Sequence, residues 1–86
     1  MDIQQKFQQA VADSKTLSEK PDNDTLLMLY SLYKQGTEGD VNTEPPVNPF
    51  DFVNKAKYNE WSELKGVTKE SAMQQYVDLV KKLKGA

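Results

Sequence analysis

The chain has 86 residues, of which 37% are hydrophobic and 28% charged, a balance too apolar for a disordered segment and too polar for a membrane span. Its eleven basic residues are all lysine, set against thirteen acids, and a pI near 5.0 argues against a nucleic-acid binder, which needs a basic footprint to neutralise phosphates. Cysteine and histidine are absent, which removes disulfides, thiol nucleophiles, the commonest metal ligand and the commonest general base.

One compact domain spanning residues 1–86 is expected at this length, with any ligand lying in a groove rather than in a deep enclosed site. No basic start followed by an apolar segment is seen, and no run approaches the ~20 apolar residues of a membrane helix. The expectation is therefore a cytoplasmic protein.

From Asp2 to Leu17, Ile3, Phe7, Ala10, Val11 and Ser14 recur at steps of three and four, which predicts a first helix. Pro21 interrupts the pattern, and Asp22, Asn23 and Asp24 offer side-chain oxygens and negative charge to the start of a second. Asn23-Asp24-Thr25 also matches a glycosylation acceptor, but without a secretion signal it reads as a helix start. The second helix carries Leu26, Leu27, Met28, Leu29, Tyr30, Leu32 and Tyr33 and should stop between Gly36 and Gly39.

Pro45, Pro46 and Pro49 make the stretch from Gly36 to Phe50 a long crossover loop. Asp40, Asn42, Glu44 and Asp51 fall near the spacing of a calcium loop, but Pro45 stands where that loop needs glycine, so calcium is rejected. A third helix fits Asp51 to Leu64, ended by Gly66. A fourth fits Lys69 to Lys84, capped by Thr68, with Ala72, Met73, Tyr76, Val80 and Leu83 as its core stripe. Strand and hairpin signals are missing, so the fold class expected is all-α, a four-helix bundle.

The second helix is apolar on two faces, with Ser31 and Gln35 as its polar strip, which places it at the centre of the bundle between two neighbours. Lys34 projects beside Tyr30 and Leu27, and Lys57 shares a stripe with Val53, Trp61 and Leu64. Two accounts fit these lysines. Their stems snorkel along the core, or the two ammonium groups, with Tyr30, Tyr33 and Tyr76, hold an anionic ligand that has an apolar or aromatic part. These features alone choose no ligand class. A glycine-rich phosphate loop and a nucleophile elbow are both lacking, and Glu60 and Glu63 read as solvated helix charges.

Leu29-Tyr30-Ser31-Leu32-Tyr33-Lys34-Gln35, then Gly39-Asp40, then Lys55-Ala56-Lys57-Tyr58-Asn59-Glu60-Trp61 closely resemble the acyl-CoA-binding protein family. The likeness extends over nearly the whole chain, through Phe7, Ala10, Leu17 and Pro21 to Gly66, Ala72, Tyr76, Val80 and Leu83. It implies an up-down-down-up bundle that carries medium- to long-chain fatty acyl-CoA in the cytoplasm as a monomer, with no catalysis, no cofactor and no nucleic acid. Membrane or enzyme contact would be transient at most.

Carried over by position, the resemblance assigns Tyr30 and Lys34 to the 3′-phosphate of the CoA ribose, with Lys57 as a further phosphate contact. It sets Tyr76 beside the adenine, Lys15 and Ala10 near the nucleotide, and Leu27 and Tyr33 toward the ligand and its acyl chain, with Ser31 and Leu32 in the same binding set. Tyr58 replaces a usual tryptophan, Val11 a usual alanine beside the nucleotide, and the Pro45–Phe50 loop is one residue longer than in common members. The alternative from another class is a helical protein-interaction module using the same apolar surface. A hydrolase or transferase is disfavoured by the missing histidine and cysteine.

Overall fold

Each of the four apolar stripes forms a helix in the computed structural model, which describes residues 2–85. Helix α1 covers Ile3–Ser14, α2 Asn23–Glu38, α3 Phe52–Glu63 and α4 Lys69–Gly85. The caps follow side-chain chemistry. Asp2, Asp22 and Asp51 accept the amides of Gln5, Thr25 and Asn54, and the Thr68 hydroxyl accepts that of Ser71 at 3.1 Å.

Helix α1 stops at Ser14, short of Leu17. The Ser14 and Thr16 hydroxyls donate back to the Val11 and Asp13 carbonyls, and the Lys15 and Thr16 amides bond three residues back, so the chain tightens into a turn instead of continuing.

Contact register fixes the topology. Phe7 meets Tyr76 while Asp13 meets Lys84, so α1 and α4 run parallel. Gly36 lies against Met73 and Tyr33 against Tyr76, so α2 and α4 run antiparallel. Tyr30 meets Lys57 and Lys34 meets Trp61, so α2 and α3 run parallel. The bundle is up-down-down-up, with helices packed in the spatial order α1, α4, α2, α3. Helix α2 thus has α4 on one side and α3 on the other, as its two apolar faces require.

The core joins Phe7 and Ala10, Leu29 and Leu32, and Ala72, Met73, Tyr76, Val77 and Val80. Ser31 and Gln35, the polar strip of α2, point inward and are buried. With α2 packed on two neighbours, that strip has no solvent to face, so its donors find protein partners, while the buried Gln35 Oε1 accepts no hydrogen bond from the described residues. Ser31 Oγ donates to the Met28 carbonyl at 2.9 Å, and Gln35 Nε2 donates to the Val67 carbonyl at 2.7 Å and to Asp40 Oδ1 at 3.0 Å. Asp40 Oδ1 also accepts the Gly66 amide, and Trp61 Nε1 donates to the Gly39 carbonyl. These bonds fasten the start of the long loop to α3 and to the α3–α4 turn.

Candidate functional site

At about 100° per residue, Leu26, Leu27, Tyr30, Tyr33, Lys34 and Thr37 share the face of α2 that looks into the cleft between α1 and α3. The α3 wall of this cleft carries Lys57 and Trp61. The Lys57 ammonium lies 5.1 Å from the Tyr30 ring centre, and the Lys34 ammonium 4.9 Å from that of Trp61. Each cation therefore rests on an aromatic face of the other helix, which fixes its position without neutralising it. Both lysines are half-buried. Their stems do lie along apolar surface, yet the heads are gathered in one place rather than scattered into solvent.

Lys34 also forms an ion pair with Glu38, one turn on. The hydrogen bond that Lys34 donates to that carboxylate raises the Lys34 pKa, and the same bond, helped by Asn42, lowers that of Glu38. Both groups are charged at neutral pH.

Beyond Lys57 the parallel α2–α3 seam turns apolar. A groove of about 390 Å³ is lined there by Asn23, Leu26, Leu27, Phe52, Val53, Ala56 and the Lys57 stem. Beside the loop, Tyr30, Lys57, Tyr58, Trp61, Glu44 and Pro46 border a smaller hollow of about 160 Å³. The seam thus changes from cationic and aromatic to hydrocarbon in character over two turns of helix.

The other flank of the cleft is aromatic. Tyr33 stacks on Phe7 with ring centres 5.8 Å apart, and Phe7 meets Tyr76 edge-on at 5.1 Å. Tyr76 is buried, and its hydroxyl is 3.1 Å from Ser14 Oγ. A groove of about 380 Å³ runs beside this cluster, lined by Gln4, Phe7, Gln8, Val11, Tyr33, Thr37 and Met73.

The structure therefore brings Tyr30, Lys34, Lys57, Leu27 and Tyr33 to one cleft and sets Tyr76 beneath its aromatic flank. Lys15 is exposed at the end of α1, next to the Ser14 that meets Tyr76. Three positions lie elsewhere. Ala10 is buried in the α1–α4 seam among Lys6, Asp13, Val77 and Val80, about 100° round α1 from Val11. Ser31 and Leu32 are buried on sides of α2 turned away from the cleft, roughly 100° and 200° round from Tyr30. Matching strings of sequence takes neighbours together, whereas a helix separates them.

Reading the sequence missed Leu26, Phe52, Val53 and Ala56 as groove walls, and Glu38 as the partner of Lys34. Glu38 was legible, since a lysine and a glutamate four residues apart on a helix meet. The groove walls depend on how α3 docks. Among the described residues, no group of three or more acidic side chains gathers as a metal site.

The comparisons with known proteins agree with this geometry. The family model described as "Acyl CoA binding protein" matches residues 4–80. Acyl-CoA-binding protein homolog 1 of Caenorhabditis elegans is 49% identical over 77 residues, covering 90% of this chain and 88% of that protein. Enoyl-CoA delta isomerase 2 of Rattus norvegicus is 50% identical over 80 residues, covering 93% of this chain but only 20% of that protein. The crystal structure of Oryza sativa Acyl-CoA-Binding Protein 2 superposes with a TM-score of 0.88 at 36% identity, covering 95% of this chain and 90% of that one. With fold, cleft and near full-length relatives in agreement, this chain belongs to the acyl-CoA-binding protein family.

Proposed function

We propose that this protein is a one-to-one carrier of medium- to long-chain fatty acyl-CoA esters, working as a cytoplasmic monomer and performing no reaction on them. The observation that carries this reading is the polarity gradient along the α2–α3 seam, with two fixed ammonium groups at one end and a hydrocarbon groove at the other. Such a gradient suits an amphiphile with phosphates at its head. In this reading Lys34, Lys57 and the Tyr30 hydroxyl hold phosphate, and the acyl tail lies along Leu26, Leu27, Val53 and Ala56. The nucleotide rests against Tyr33, Val11 and the Tyr76 flank, within reach of Lys15. Ala10, Ser31 and Leu32 support that surface from behind.

The energies suffice. Each methylene withdrawn from water contributes about 0.8 kcal/mol, and each charge-assisted hydrogen bond to phosphate about 1.5–3 kcal/mol. Association and ordering costs consume much of the total, so affinity should rise with chain length until the groove is filled. Calorimetric titration with a saturated long-chain acyl-CoA, beside free CoA and the free fatty acid, tests the reading. Tight one-to-one binding of the ester, weaker binding of CoA and none of the fatty acid is the expected result. Lys34→Ala should weaken both ester and CoA while leaving the helical content intact. An ester that fails to bind folded protein would remove the reading.

A further inference from the structure

Four large apolar side chains fall within seven residues at the end of the long loop and the first turn of α3, and none is covered. Val47 is 95% exposed, Phe50 79%, Phe52 71% and Val53 65%. The loop holds them out firmly. Pro45, Pro46 and Pro49 restrict its backbone, and Asn48 accepts the Phe50 amide at its side chain, at 2.9 Å, and the Asp51 amide at its carbonyl. Between Glu44 and Lys55 the only charged residue is Asp51. Its carboxylate is occupied by the start of α3, where it accepts the Asn54 amide and side chain. The patch is thus apolar and stiff, with the Asp51 carboxylate as its one charge.

We infer that this patch docks on the surface of a neutral lipid layer, with Val47 and Phe50 entering the boundary between headgroups and acyl chains. Exposure selects the occupant. A bound acyl tail is buried by groove walls on both sides, and a side chain as bare as Val47 has no wall beside it, so a tail laid there would stay wet. A second copy of the chain is too demanding a partner. Four side chains of this kind offer on the order of 500 Å², whereas a stable dimer buries ~800 Å² on each subunit. A lipid surface needs no matching shape and takes up protruding apolar side chains one by one. The one charge inside the patch, the Asp51 carboxylate, is negative and would not draw in an anionic surface, which points to a zwitterionic one.

Phe52 and Val53 belong both to the patch and to the apolar groove, so docking would set the groove's hydrocarbon end against the lipid. That consequence rests on the carrier reading, but the docking itself does not. The test is co-sedimentation of the ligand-free protein with sucrose-loaded phosphatidylcholine vesicles. Binding should rise with lipid, remain weaker than that of a single myristoyl chain at ~10⁴ M⁻¹, and persist in about 1 M salt, where screening is nearly complete. Val47→Ser with Phe50→Ser, two residues outside the groove walls, should lower partitioning about fivefold or more, in line with the lost apolar area. The doubly substituted protein should keep its helical content and its calorimetric titration by acyl-CoA. Because the chain contains no cysteine, a polarity-sensitive dye on Val47→Cys should report entry into lipid, while the same dye on Ser71→Cys should not. Four results would each overturn the inference: no sedimentation with neutral vesicles, binding that requires anionic lipid and vanishes in salt, full binding by the doubly substituted protein, or self-association that the two substitutions abolish. Loss of acyl-CoA binding alone would strike the carrier reading and leave docking intact.

Discussion

Lys34 has two partners in the free protein, the face of Trp61 and the carboxylate of Glu38. A phosphate arriving at this ammonium must displace Glu38 or tolerate it as a neighbouring negative charge. In the proposed mode of binding, Glu38 is therefore an internal competitor for the Lys34 cation. A solvent-exposed pair at this helical spacing is weak, so Glu38→Gln should tighten CoA and acyl-CoA alike by only about twofold. Calorimetry at low salt measures this, and an unchanged or weakened affinity would show that Glu38 positions Lys34 instead of competing for it. Lys34 itself was legible in the sequence, through its place among apolar neighbours. Its seat on Trp61 was not, because that contact joins residues of different helices whose register only packing sets.

The four helices were legible because caps, glycines and apolar spacing agree at almost every boundary. The end of α1 was not, since hydroxyls that bond back to the helix carry no periodic signature. Ser31 shows a deeper limit: polarity on a helical wheel predicts exposure only when a free side exists, and α2 has packed partners on two sides. Gly39, by contrast, marks the end of α2 for a reason visible in its backbone. At φ 82° and ψ −150° it occupies a region that essentially only glycine adopts, and its carbonyl accepts the indole of Trp61 at 2.8 Å. Gly39→Ala should therefore cost about 1–3 kcal/mol. Urea denaturation would measure the loss, with Gly85→Ala near the end of α4 as a control expected to match the unsubstituted protein.

At the scale of the molecule, one carboxylate gathers three parts of the chain. Asp40 Oδ1 takes the Gly66 amide at 2.9 Å and the Gln35 side chain at 3.0 Å, linking the loop to the α3–α4 turn and to α2. Those bonds, the Gly66 amide foremost, together with the charge of Lys65, hold its pKa below the ordinary carboxylate value. Asp13 is lowered as well, chiefly by its hydrogen bond from Lys84. A carboxyl depressed by folding binds its proton more readily in the unfolded chain. Its contribution to stability is thus fully present above the unfolded value of about 3.9 and is lost as the pH falls through the lower folded value. Asp40→Asn removes this titration while keeping the shape. Its urea midpoint should start lower at neutral pH and fall less between about pH 5 and pH 3 than that of the parent protein. Parallel decline of the two proteins would show that the carboxylate charge contributes nothing to the link.

Trp61 is the only tryptophan in the chain, and it stands where α3, the loop start and the Lys34 ammonium of α2 meet. An indole so placed is a chromophore wired to the site. Its emission depends on the cation over its ring and on the hydrogen bond at its nitrogen, so in the proposed carrier it should give an intrinsic optical signal for occupancy of the cleft. Stopped-flow fluorescence can therefore follow the loading and unloading of this molecule without any label.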